Sequence, residues 1–92
     1  MKQSVTFTVD ANVDVDDLTP GRNVILAAEG AFGSGTLTLY WGHNDTYVAF
    51  ASGTLTANGI LNNMRLPSDQ LRIGLSGSTS PALNVVITYC KD

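Results

Sequence analysis

Between Gly30 and Pro81 the chain is divided by Gly-, Asn- and Ser-rich turns into short segments of alternating apolar and polar residues. Strict alternation places every second side chain on one face of a strand, and turn residues at short intervals leave no room for a helix. Thr36 to Trp41 sends Leu37, Leu39 and Trp41 one way, and Leu71, Ile73 and Leu75 alternate with Arg72 and Gly74. Leu83, Val85, Ile87 and Tyr89 make a last strand, and Val5, Phe7 and Val9 a first one. Asn23 to Glu29 is apolar on both faces (Val24, Leu26 and Ala28; Ile25 and Ala27), the pattern of a strand covered on both sides, inside a sandwich or at a subunit contact.

Tyr47 to Ala51 and Thr54 to Ala57 read as separate strands, and Asn58-Gly59 as a tight type I′ hairpin turn before the strand from Ile60 to Leu66. Asp10 to Gly21 breaks the alternation and reads as an acidic loop with Leu18-Thr19-Pro20-Gly21 as its turn. Strands at roughly ten-residue spacing, about eight in all, predict an all-β fold: one small antiparallel β-sandwich, jelly-roll or immunoglobulin-like. Residues 1–92 form a single domain, with 1–22 expected to serve as a contact arm and acidic loop.

The chemical inventory is thin. One His, one Cys and one Glu exclude an intramolecular disulfide and a Cys/His zinc site within one chain. His43, Asp45 and Ser52 could be arranged as a triad, but His43 and Asp45 share one hairpin loop and no nucleophile elbow exists, so His43 reads as a loop residue. Asp10, Asp14, Asp16 and Asp17 supply hard oxygens for Ca²⁺, yet no glycine turns that segment and no Glu closes it. A solvated acidic loop, or carboxylates facing a neighbour's Arg, fits better. No catalytic residue, metal site, cofactor or small-molecule substrate is therefore expected.

Lys2, Arg22, Arg65, Arg72 and Lys91 do not cluster, which argues against nucleic acid. No apolar run is long enough for a membrane helix, and the N-terminus lacks a signal peptide's apolar core. With 14% charged residues and a core limited by size, association is the expected route to stability. Arg65 and Arg72 should face outward and bond a neighbour's carboxylates. Cys90 reads as a small hydrophobe, and Tyr40 and Tyr47 could stack on a glycan.

Gly35 to Leu39, Gly53 to Gly59, Leu66-Pro67, Leu71 to Gly77 and Pro81 to Val85 together resemble the small virion proteins of tailed bacteriophages. The resemblance spans residues 30 to 90 and rests on turn and strand punctuation. Trp41 to Asp45 replaces a more polar hairpin of such modules, and the stretch from Asp10 to Pro20 has no counterpart there. The resemblance implies a capsid decoration (cement) protein in the virion, made in the host cytoplasm. It would be a homotrimer bound to the major capsid protein across capsomer junctions. A tail or head-fibre adaptor is the alternative within structural proteins, and a carbohydrate-binding module is the alternative outside them. The contact residues expected from the arm and the outward arginines are Val5, Phe7, Val9, Asp14, Asp16, Asp17, Arg65 and Arg72, and removal of residues 1–17 should leave a folded core.

Overall fold

The computed structural model describes residues 2–90, the side chain of Asn63 excepted. Met1, Lys91 and Asp92 lie outside the described residues. Eight strands follow in order: β1 (Lys2–Phe7), β2 (Ala11–Val15), β3 (Asn23–Ala31), β4 (Thr36–His43), β5 (Thr46–Leu55), β6 (Gly59–Arg65), β7 (Gln70–Ser76) and β8 (Ala82–Thr88). They form two four-stranded antiparallel sheets, one ordered β1-β8-β3-β6 and the other β2-β7-β4-β5. Every connection except the β4–β5 hairpin passes from one sheet to the other, the path of a jelly roll. The long-range pairing decides between the two sandwich types that the alternation leaves open.

The alternation produces the core directly. Val24, Leu26 and Ala28 of β3, Leu37 and Leu39 of β4, Leu71, Ile73 and Leu75 of β7, and Leu83, Val85 and Ile87 of β8 are all buried between the sheets. Each such Leu, Ile or Val stabilises the fold by about 1.5–3 kcal/mol through removal of apolar surface from water. In β6 the inward residues Leu61 and Met64 stand three apart, because a bulge opposite Ile25 inserts one residue between them.

Four expectations need correction. Ala11–Val15 is not part of a loop but strand β2, with Val15 buried, Val13 packed against the core and Asp14 outward. The N-terminal 22 residues are therefore not an arm laid on a finished domain, since β1 and β2 each complete one sheet. The segments on either side of Ser52 are one strand, β5, kinked where Phe50 to Gly53 stand opposite Leu39. Asn58-Gly59 is a corner between sheets rather than a hairpin turn: neither residue has positive φ, and the Asn58 Oδ1 accepts the Gly30 N–H at 2.9 Å. The type I′ geometry lies at Asn44-Asp45 instead, with φ of 52° and 62°.

The outer face of β3 is also open within one chain. Ile25 is 43% exposed and Ala27 half-buried, so among the described residues nothing covers the second apolar side that the sequence presents.

Candidate functional site

On the outer face of the β2-β7-β4-β5 sheet the structure assembles six of the polar residues singled out above: Asp14, Asp16, Tyr40, Asp45, Tyr47 and Arg72. Register places Asp14, Arg72 and Tyr40 side by side on β2, β7 and β4. The Arg72 guanidinium donates two hydrogen bonds to the Asp14 carboxylate, at 2.7 and 3.1 Å. Tyr47 stands on edge strand β5 opposite Gly42, and a Cβ at position 42 would meet its ring at 2.5 Å. Because Gly42 has no side chain, the ring can lie across β4 toward β7, where the Arg72 Cζ sits 3.9 Å from its centroid.

Gln70 completes the cluster. Its Nε2 donates to Asp16 Oδ1 and to Asp45 Oδ1, each at 3.1 Å, and its Oε1 accepts the Asp45 N–H at 3.1 Å. It thereby ties the β4–β5 turn to the end of β2. Its role is invisible in the sequence, where Gln70 is one more polar residue before a strand.

The electrostatics follow the geometry. The hydrogen bonds from Arg72 hold the Asp14 carboxyl below its ordinary value of 3.8, and the same bonds raise Arg72 further above its own. Desolvation, then the Asp14 and Asp16 carboxylates, push the Tyr47 phenol up against the opposing charge of Arg72. At the opposite end of the sandwich, Asp10 accepts the Ser78 hydroxyl, the Ser78 N–H at 3.0 Å and the Gly77 N–H at 3.1 Å. The Ser78 hydroxyl contributes most to lowering the Asp10 pKa. The Asp14–Arg72 pair remains partly exposed, with side chains 39% and 30% accessible, so its contribution is on the order of 1 kcal/mol or less.

Both carboxyls thus titrate lower in the folded chain than in the unfolded one. The stability they contribute is complete above the unfolded value and is lost as the pH falls through their folded pKa values. Urea midpoints should hold steady from neutral pH down to about pH 4 and fall below it, and Asp10→Asn with Asp14→Asn should flatten that fall. An acid slope unchanged in the double variant would contradict the assignment.

The other expected residues are scattered. Phe7 is buried at 2% exposure and Val5 packs against the core, so Phe7 is not a contact residue in the folded chain. Val9 lies beyond the end of β1 and is 64% exposed. Asp17 sits at a φ of 60° in the β2–β3 connection, and Arg65 is exposed at the end of β6. Asp14 and Arg72 face outward as expected, but each is engaged by the other within the chain. The carboxylates of Asp10, Asp14 and Asp16 go to different partners, and among the described residues no three Asp, Glu, His or Cys side chains converge as metal ligands. Asp45 is bound to Gln70, and Ser52 lies in the β5 kink, so the triad arrangement does not form. Tyr47, offered for glycan stacking, already has a guanidinium on its ring.

Two surfaces stand apart from that cluster, and of the second the sequence shows only the Ile25 and Ala27 side of β3. One is a cleft of about 400 Å³ beneath the β4–β5 turn, lined by Trp41, His43, Asn44, Thr46, Val48, Pro67 and Ser68. Alternation correctly sends Trp41 inward, yet it stands near the end of β4, where the sandwich is open, and stays half-exposed. The other is the outer face of the β1-β8-β3-β6 sheet. Register aligns Ser4, Val86, Ala27 and Ile60 in one row across all four strands, with Ile25 in the next row. Ile60 is 58% exposed.

No family model matches the chain, and no curated protein matches it. Among solved structures it is similar to the solution NMR structure of a de novo designed double-stranded β-helix, at 20% identity over 95% of each chain with a TM-score of 0.52. The likeness is one of fold.

Proposed function

We propose that this chain is a structural protein of a bacteriophage particle, a capsid decoration protein that attaches as a homotrimer to junctions between major capsid proteins. It performs no catalytic step and acts in the virion after synthesis in the host cytoplasm. The virion setting comes from the sequence resemblance. The observation that carries a binding role is the uncharged apolar row Val86, Ala27 and Ile60, flanked by Ile25, on the outer face of an otherwise polar sheet. A solvent-exposed apolar band of this kind marks a surface made to be covered.

The size of the face supports attachment by several subunits together. Four strands at ~4.8 Å spacing and six residues at ~3.3 Å rise give a face of about 400 Å². A stable interface covers about 800 Å² per partner, so one face alone would hold weakly. Three linked faces bind with the advantage of high effective concentration. Each bound subunit then stabilises the shell by mass action.

Capsids lacking the protein, sedimented with the purified chain, should retain it in stoichiometric amounts. Ile60→Asp, which alters an exposed position and leaves the core untouched, should fold normally and lose at least about tenfold in binding. Failure of the wild-type chain to co-sediment would refute the decoration role, and capture by tail proteins instead would assign an adaptor role. Undiminished binding by Ile60→Asp would move the contact to another face.

A further inference from the structure

We propose that the cleft beneath the β4–β5 turn binds a neutral saccharide, with the Trp41 indole against an apolar face of the sugar and His43, Asn44 and Thr46 bonded to its hydroxyls. This site is separate from the apolar sheet face and from Tyr40 and Tyr47, and the proposal does not depend on the capsid role.

The chemistry of the lining selects the ligand class. Trp41, Val48 and Pro67 give the cleft an apolar side, while His43, Asn44 and Thr46 bring an imidazole, an amide and a hydroxyl. Among the described residues no Lys or Arg lines it, so a phosphate or carboxylate would find no counter-charge from them. A ligand with one apolar face, a rim of donors and acceptors and no formal charge fits, and a pyranose has that constitution. Ligand sites are of this kind: concave, largely apolar, with a few placed polar groups.

Two further observations point the same way. The Ser68 Oγ is buried and has no hydrogen-bond partner among the described residues. Sealed from solvent as it lies, that oxygen reaches a ligand only by rotation of the Ser68 side chain toward the cleft, which would give it the partner it lacks. The cleft also continues past His43, Asn44, Pro67 and Ser68 into a second lobe of about 490 Å³ that adds Pro20 and Asp69. A carboxylate can accept from two neighbouring hydroxyls, so the second lobe suits a second sugar unit. The frame is fixed beforehand: Gln70 pins the Asn44-Asp45 turn, and the Leu18 N–H and Gly21 N–H bond the Asp69 and Leu66 carbonyls across the lower rim.

Trp41 is the sole tryptophan of the chain, so its emission reports occupancy of the cleft directly. The full chain is titrated with glucose, galactose, mannose, N-acetylglucosamine and their disaccharides, with amide shifts mapped by NMR in parallel. The expected result is a saturable change in Trp41 emission with at least one sugar, tighter for its disaccharide, and shifts confined to residues 18–21, 41–48 and 66–70. Asn44→Gly, which tolerates the positive φ of the turn, and His43→Ala should each weaken binding about tenfold without altering the fold. Tyr47→Phe, on the outer face, should bind as the wild type does. No saturable response to any sugar, or equal affinity in both cleft variants, overturns the proposal. A proline-rich peptide that moves Trp41 emission where no sugar does overturns it too, and makes the cleft a peptide groove.

Discussion

A chain that begins at Leu18 will not fold. The missing segment contains β1 and β2, one edge strand from each sheet, and removing it strips hydrogen-bonded neighbours from both β8 and β7. Phe7 and Val15 leave the core entirely, and Val5 and Val13 go with them. Truncating a buried Phe to Ala alone costs about 3–5 kcal/mol. A domain of this size has roughly 5–15 kcal/mol of stability in total, so loss of four apolar side chains and two ladders exceeds what it has. Far-UV circular dichroism of residues 18–92 should show no β-sheet signal and urea no cooperative transition. A cooperative, native-like transition would mean that the sandwich closes without these strands, and would restore the expectation of a detachable N-terminal arm. The same reasoning makes the deletion useless for mapping capsid contacts, since an unfolded chain loses every contact at once. Single outward substitutions such as Ile60→Asp separate the two effects.

The reason the arm was expected at all lies in β2. Its inward residues, Val13 and Val15, keep the two-residue period, but the intervening Asp14 belongs to a run of four aspartates that reads as solvated loop. The partner that makes Asp14 a strand residue is Arg72, 58 positions away, and no local pattern reveals such a pair. The sequence pattern and the fold both hold eight strands, but not the same eight. In the sequence β2 is hidden among aspartates, while the kink at Ser52 makes β5 read as two strands. β1, β4, β7 and β8 are legible because one buried face imposes alternation on each, and β3 because its apolar run is flanked by turn residues. Which strands pair, and hence jelly roll rather than immunoglobulin-like sandwich, depends on contacts far apart in sequence. The Trp41 cleft was hidden for a related reason: alternation says that a side chain points inward, but not that the sandwich is open where it points.

The corner between the sheets gives the sharpest stability test. Gly30 ends the buried part of β3 at a φ of 120°, a conformation that L side chains rarely adopt, and a Cβ there would collide with the Ala82 carbonyl oxygen. That obstacle is backbone of the neighbouring strand, so no rotamer change relieves it. To make room β8 would have to shift beside Leu83, which is fully buried. Gly30→Ala should therefore cost about 3 kcal/mol or more, combining dihedral strain with displaced packing. Gly59 provides the contrast. Its φ is not positive, and an added Cβ would first meet the Leu55 Cδ2 at 3.2 Å, the far end of a flexible side chain. Gly59→Ala should cost less than about 1 kcal/mol, or even stabilise by restricting the unfolded chain. Urea denaturation of the two variants side by side tests the corner itself. A type I′ turn at Asn58-Gly59 would demand positive φ at position 59 and make that substitution costly. Equal losses at 30 and 59 would put the hairpin back there and undo the crossing from β5 to β6, whereas a large loss at 30 alone matches the jelly-roll path.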